Sequence, residues 1–241
     1  MAADGLVRGE AVRVRRQAGP GWRLLLPVLS ALAVAGLAIG FVVYALSPRW
    51  PEAAPAADAP HLPIVIAGET FHVPPAAIRQ KVQRHPGPQD RIDLVYAWPL
   101  LTPPPAPSDG KTVATPPERL FVSIAPRDGT AEPAERLRTI YSRYTVKGSA
   151  LAQDGLALVA FRADTPYAGE DLVFDESAPE HFVARCTRPT EKLTTGSCLT
   201  ERFVGQANVI IRFPREWLAD WRALAHRLDR LIAELHPKPQ G

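Results

Sequence analysis

The uncharged run from Leu24 to Leu46 constrains this chain more than any other feature. As a helix, at about 1.5 Å per residue, it spans the hydrocarbon core of a bilayer, which is roughly 30 Å thick. A signal peptide has an apolar core of only about 7–15 residues, so length favours a retained anchor. Small residues at 54–59 leave later cleavage open. The run predicts where the chain resides, not what it binds or converts.

The distribution of arginine on the two sides of the run predicts its orientation. Only Arg49 lies between the run and Arg79, whereas five arginines precede it: Arg8, Arg13, Arg15, Arg16 and Arg23. Basic residues flanking a membrane helix stay in the cytoplasm. We therefore expect a cytoplasmic tail over 1–23, a transmembrane helix over 24–46 and an external C-terminal part.

The net charge of +3 comes from the N-terminal 46 residues. They hold five arginines against Asp4 and Glu10, which leaves 23 basic and 23 acidic side chains in the rest of the chain. An external part without net charge has no electrostatic signature of nucleic-acid binding. The tail is too short for a folded cytoplasmic domain, which needs on the order of 50 residues.

Composition also points to a compartment. Arginine supplies 23 of the 28 basic residues and alanine is abundant, a bias typical of a GC-rich bacterial genome. The outside is then the periplasm of a Gram-negative cell, and the anchor lies in the inner membrane. Because that compartment is oxidising, Cys186 and Cys198 are predicted to form a disulfide. The alternative is a zinc site that adds His181 and either His72 or His85, but the spacing matches no zinc pattern.

Small residues within the run form a stripe. Ala33, Gly36 and Gly40 share one helix face, and Gly36 with Gly40 makes a GxxxG pattern that lets two membrane helices approach closely. These residues are a candidate contact of a homodimer. Alanine and glycine are also common in membrane helices that do not associate.

Proline-rich stretches separate the parts of the external region. Residues 47–63 read as an extended linker, and residues 102–117 read as a long surface loop within the domain. Pro74 and Pro75 suit the start of a helix that runs to about His85. Helical spacing predicts a second helix over 134–144.

Apolar and alternating segments predict the strands of one antiparallel sheet. They cover 64–67, 92–98, 120–125, 156–162, 172–174, 181–187, 198–204 and 208–213. The strongest helix follows from Pro214 to about Leu235, with an apolar stripe that includes Trp217 and Trp221. The prediction is a single α+β domain over 64–236, with the long C-terminal helix lying across the sheet.

Two segments resemble parts of membrane-anchored exported proteins of alphaproteobacteria. They are Ile64–Pro103, IVIAGETFHVPPAAIRQKVQRHPGPQDRIDLVYAWPLLTP, and the closing FPREWLADWRALAHRLDRL. The resemblance implies an exported, membrane-anchored protein with a recurring domain. It implies no activity and no catalytic residue.

The sequence contains few residue patterns that indicate catalysis or metal binding. The sequence contains no GxSxG, HExxH, P-loop or CxxC motif, so no catalytic residue, metal ligand or cofactor is assigned. Ser108 and Lys111 match an SxxK pattern, but they lie in the proline-rich loop without the other motifs of penicillin-recognising enzymes. An acidic cluster surrounds Tyr167 and is interpreted as a solvated hairpin edge: Asp164, Glu170, Asp171, Asp175 and Glu176.

One apolar segment is a candidate for recognition. Trp98, Leu100 and Leu101 lie at the end of a predicted strand, so they either form a partner surface or pack as an edge of the core under the proline-rich loop.

Three function classes follow. The leading hypothesis is a non-enzymatic, membrane-tethered periplasmic domain that binds or scaffolds another envelope protein. The alternative is a hydrolase of envelope polysaccharide or peptidoglycan that uses carboxylates as acid and base. The third is a transmembrane signalling partner, which the short tail disfavours. A deep pocket with convergent carboxylates favours the enzyme, and an open surface favours the binding domain.

Overall fold

The computed structural model describes residues 21–46, 55–56, 58–104, 118–148, 153–190 and 195–237. The chain divides into two compact units, one within residues 1–49 and the other within residues 50–241. The first unit contains helix α1, Gly21–Leu46. Among the described residues α1 alone is long and apolar enough to cross a membrane, as an anchor or a signal sequence near the N-terminus does.

The described residues of the second unit form ten strands and three α-helical segments. The strands are β1 Leu62–Ile66, β2 Glu69–Val73, β3 Gly87–Pro88, β4 Ile92–Ala97, β5 Arg119–Pro126, β6 Leu156–Ala160, β7 Glu170–Asp175, β8 Val183–Thr187, β9 Ser197–Val204 and β10 Ala207–Pro214. The helices are α2 Pro133–Arg136, α3 Ser142–Tyr144 and α4 Trp221–Leu235. A π-helical turn, Leu137–Tyr141, joins α2 to α3, and we call this whole stretch the α2–α3 segment.

Seven strands form one antiparallel sheet in the order β4-β5-β10-β9-β8-β7-β6. A smaller sheet has the order β2-β1-β3. Strands β9 and β10 are joined by a tight turn in which Gly205 has a φ of 51°, a value that glycine adopts at low cost. The predicted fold class, an N-terminal apolar helix followed by an antiparallel α+β domain with a long C-terminal helix, is confirmed.

The inner face of the large sheet carries the main core. Alternate side chains of its strands point to this face, and they are buried together with β1, β2 and one side of α4. Trp221 is 5% exposed and Leu224 and Leu228 are fully buried, so the apolar stripe of α4 packs as the sequence predicts. The outer face is the opposite surface of the same sheet.

The predicted disulfide is present within the inner face. Cys186 and Cys198 occupy directly paired positions of β8 and β9, and both are fully buried. The bond therefore joins neighbouring strands in the middle of the sheet. The zinc alternative is wrong for the cysteines, because their sulfur atoms are bonded to each other.

The predicted helix from Pro74 to His85 is wrong. Two short 3₁₀ turns, Pro75–Ala77 and Lys81–Gln83, stand in its place. Between them, buried Ile78 has extended backbone and pairs with Leu94 at the edge of β4. Burial of one apolar side chain against the sheet thus overrides the local helical signal.

A strand that the sequence analysis did not predict lies directly before these turns. Strand β2 was not predicted, although Phe71 and Val73 are buried and alternate with exposed Thr70 and His72. The C-terminal helix begins later than Pro214 predicts, because Pro214 ends β10 and a 3₁₀ turn, Arg215–Asp220, precedes α4.

The interpretation of the acidic cluster as a solvated edge is wrong for its central members. Strand β7 lies inside the sheet, and β6 forms the edge. Asp171 is buried and pairs with Arg188 and Arg215 at 2.8 and 2.6 Å. Asp175 is buried as well and accepts hydrogen bonds from Ser177 and the Ala178 amide. These carboxylates stabilise loops rather than repel neighbouring chains.

Candidate binding face

The outer face of the large sheet is divided into a covered half and an uncovered half. Over β6, β7 and β8 the α2–α3 segment packs Tyr141 against Phe161, Leu172 and Val183. Over β4, β5 and β10 no element of the described residues packs in this way. We call this uncovered half the open face; its outward residues are Asp93, Val95, Phe121, Ser123, Ile210 and Arg212.

Strand alternation positions these side chains. In β5, Leu120, Val122 and Ile124 point to the core, so Arg119, Phe121 and Ser123 point outwards. In β10 the buried residues Ile211 and Phe213 alternate with Ile210 and Arg212 in the same manner. The open face is therefore a direct consequence of the strands that build the core.

Pairing between strands arranges the open face in two rows. Val95 pairs with Phe121, which pairs with Arg212, and the neighbouring row joins Asp93, Ser123 and Ile210. Side chains at directly opposed positions of an antiparallel pair lie about 4.5–5.5 Å apart at their Cβ atoms. Between the rows and the loop at Arg79 lies a shallow recess of about 70 Å³.

Arginines surround this recess. The Arg79 guanidinium lies 4.9 Å from the centre of the Phe121 ring, a cation–π distance. Arg127 covers Phe203 at 3.9 Å in the same way at the far end of the sheet. Among the described residues no carboxylate lies within ion-pair distance of Arg79, Arg119 or Arg212.

One carboxylate belongs to the open face. Arg91 binds Asp93 through two hydrogen bonds of 3.0 and 2.8 Å. Partial burial opposes ionisation of Asp93, but the hydrogen bonds from Arg91, Ser123 and Gln83 outweigh it and hold the pKa of this carboxyl below its usual value. Asp93 is therefore ionised at neutral pH and neutralises Arg91, and in the described part of the chain it is not ion-paired with Arg79 or Arg212.

A second concave region lies beside the start of α2. It has a volume of about 180 Å³, and its lining includes Glu132, Glu180, Glu201 and Phe203. Pockets that hold drug-sized ligands measure about 300–1,000 Å³. Glu201 is engaged by Arg136 in a half-buried ion pair, which ties it to the α2–α3 segment. This recess offers glutamates, but one of them already has a structural partner.

The residues predicted for partner recognition differ in burial. Trp98 is half-buried and stacks on Trp217 with ring centres 4.3 Å apart. Leu101 is also half-buried and packs against the main core, whereas Leu100 is 76% exposed. Only Leu100 is freely available for contact, and a partner surface at this segment stays a prediction.

The other sequence predictions concern different parts of the chain. Apart from the backbone of α1 itself, no atom of the described residues lies within 4 Å of a Cβ atom added at Gly36 or Gly40, so the stripe with Ala33 stays a prediction about helix association. Ser108 and Lys111 lie outside the described residues. No group of three or more potential metal ligands occurs among the described residues.

Sequence reasoning missed the open face. Its residues come from β4, β5, β10 and the loop at Arg79, which are distant in the chain. A signal was available in β5 and β10, where an exposed aromatic and arginines occupy the positions opposite the core residues. Counting charges over the whole external part concealed it, because the acidic residues lie elsewhere.

Comparisons with known proteins identify the fold and no family. No protein-family model matches the chain, and no curated protein matches its sequence. The structure is similar to that of an immunity protein of the Stenotrophomonas maltophilia type IV secretion system, with a TM-score of 0.52 and 15% sequence identity. That match covers 74% of this chain and 94% of the other.

A second solved structure matches less closely. It is the iron-regulated outer membrane lipoprotein FrpD of Neisseria meningitidis, with a TM-score of 0.42 and 9% identity over 75% of this chain and 94% of the other. At these identities the likeness to the immunity protein is evidence for a shared fold.

Proposed function

We propose that this chain is a non-enzymatic, membrane-tethered binding protein of the bacterial cell envelope, and that its folded domain holds another envelope protein on the open face. The observation behind the proposal is the open face itself. A partly exposed aromatic side chain, Phe121, lies on the outer side of the sheet and is framed by arginines. Aromatic residues and arginine are the types enriched at protein–protein contacts.

The fold also supports the proposed binding role. It is shared with a protein described as an immunity protein of a secretion system, which fits a binding role better than a catalytic one. The α1 helix is the proposed anchor, with residues 1–23 in the cytoplasm and the domain in the periplasm. This topology rests on the arginine distribution and on the disulfide, which needs an oxidising compartment.

Site-specific photo-cross-linking in intact cells tests the binding role. Phe121 is replaced by p-benzoyl-phenylalanine, which retains the aromatic ring, and Ile140 is replaced likewise as a control. The two side chains are matched in exposure, at 36% and 37%, but Ile140 belongs to the α2–α3 segment. We expect a discrete protein adduct from position 121 and a much weaker one from position 140.

Failure of position 121 to give a protein adduct in cells, or equal adducts from both positions, contradicts the proposal. A periplasm-activated reporter fused after Gly241 checks the orientation in the same strain. If only a cytoplasm-dependent reporter is active there, the envelope partner is excluded together with the topology.

A further inference from the structure

We infer that the partner of the open face presents an acidic surface, with carboxylates that meet Arg79, Arg119 and Arg212 around an apolar contact at Phe121. This inference rests on the proposed binding function and adds the chemistry of the partner.

Basic and acidic side chains are separated in space, although the domain as a whole has no net charge. The chain after residue 46 holds equal numbers of acidic and basic side chains. The recess of the open face, however, is lined by three arginines, Arg79, Arg91 and Arg212, and by one carboxylate, Asp93. Arg119 adds a fourth positive charge on the same side of β5 as Phe121. A surface whose only role is solubility usually intersperses both signs. A single-sign field steers and selects a partner of opposite charge.

The guanidinium groups are also available for directed bonds. Arg79, Arg119 and Arg212 are exposed and lack a carboxylate partner among the described residues. The Arg79 guanidinium lies over the Phe121 ring, 4.9 Å from its centre, and this contact holds it beside the recess. Planar guanidinium groups bind carboxylates in a bidentate manner, so ordered arginines discriminate acidic partners with geometry as well as charge.

An anionic lipid surface is the competing occupant, and the geometry disfavours it. Residues that dock on membranes project apolar side chains beyond the charged ones and bury them about 5–10 Å deep. Phe121 instead lies beneath the Arg79 guanidinium and lines a recess of about 70 Å³, together with the carboxylate of Asp93. A protein side chain fits such a recess, whereas a lipid interface would have to bury an arginine-covered ring and a carboxylate.

Peptide binding tests the preference directly. The full chain is purified in a neutral detergent, and fluorescence anisotropy is measured with two labelled peptides of equal length. Both carry the same leucines and valines, and they differ only in having glutamate or lysine at the alternate positions. We expect the glutamate peptide to bind at least about tenfold more tightly, which corresponds to about 1.4 kcal/mol, and to weaken as salt rises.

Two double variants show which surface binds the glutamate peptide. The double variant Arg79→Glu/Arg212→Glu should lose the preference for the glutamate peptide, because it reverses charge on the open face. Arg138→Glu with Arg230→Glu leaves it intact, because these exposed arginines lie on the α2–α3 segment and on α4. Circular dichroism confirms that both double variants are folded.

The outcomes separate this inference from the proposed function. Equal binding of both peptides, or equal losses in the two double variants, overturns the acidic partner. If the protein adduct at position 121 then persists in Arg79→Glu/Arg212→Glu, the binding function stands and only the chemistry is wrong. A phospholipid adduct in place of a protein adduct, identified by mass, overturns both and assigns the open face to the membrane.

Discussion

The inner face and the open half of the outer face are built by the same strands, yet they have opposite physical characters. On the inner face Val122 and Ile211 are buried beneath α4 and the small sheet, at 2% and 0% exposure. Their immediate neighbours in sequence, Phe121 and Arg212, lie on the open face and are exposed. The difference shows that stability and recognition are assigned to alternate residues of one strand, so each can change without the other.

The other half of the outer face makes the contrast sharper. There the α2–α3 segment covers the sheet with an aromatic cluster in which Tyr141, Phe161 and Tyr167 contact one another edge-on or tilted. Arg136 of that segment pairs with Glu201 of β9. An arginine on the covered half is therefore neutralised within the domain, whereas Arg212 on the open half has no carboxylate partner among the described residues.

The largest loss of stability is expected from a substitution that creates a cavity in the core on the inner face. Trp221→Ala should lower the free energy of unfolding by roughly 3–5 kcal/mol, because it leaves a cavity beneath α4. Urea unfolding of the full chain in detergent, followed by circular dichroism, measures the loss. Phe121→Ala is the control and should cost less than about 1 kcal/mol, since surface substitutions usually have small effects. Similar losses for both variants would remove the distinction between the two faces.

A smaller effect is expected from the disulfide, which joins strands within the inner face. Replacement of both Cys186 and Cys198 by Ala should lower the free energy of unfolding by about 2.5–3 kcal/mol, because the unfolded chain gains the entropy of an open loop. The sequence separation of 12 residues sets this value. The double variant and the wild-type chain are compared in urea without reductant, and an unchanged midpoint of unfolding contradicts the expectation.

The smallest effect concerns the carboxylate of the open face. The pKa of Asp93 is lower in the folded chain than its usual value, so Asp93 stabilises the fold above that usual value, near 3.8. This contribution is lost as the pH falls through the lower, folded-state pKa. Because solvent screens the site, we expect Asp93→Asn to cost less than about 1 kcal/mol at pH 7.

The test is a comparison of unfolding free energies of Asp93→Asn and the wild-type chain at neutral pH and at successively lower pH. The difference between them should shrink as the medium becomes more acidic. A difference that grows on acidification shows that Asp93 does not stabilise the fold as an anion.

Local patterns predicted most of the domain because they reflect burial on one side of each element. The alternation of Ile92, Leu94 and Tyr96 predicted β4, and the stripe that contains Leu224 and Leu228 predicted α4. Predictions were wrong where contacts between distant residues decide the backbone. Ile78 pairs with Leu94 and interrupts the helix that Pro74 and Pro75 indicate.

The acidic cluster and the open face are missed for a related reason. Asp171 is a surface residue by its sequence context, but its partners Arg188 and Arg215 come from other segments and bury it. Phe121 and Arg79 are separated in sequence by a proline-rich loop, and only the sheet brings the guanidinium above the ring.

The sequence by itself determined an apolar helix long enough for a bilayer, an α+β domain, the pairing of its two cysteines and the apolar stripe of its last helix. Each of these depends on residue type and on spacing along the chain, which physical periodicity translates into structure. Only the tertiary structure decided which half of the outer face no described element covers, and which arginines have no carboxylate partner in the described residues. Charge neutrality is a sum over the chain, whereas recognition depends on where in space the charges lie, and that is fixed by strand order and by packing of the helices.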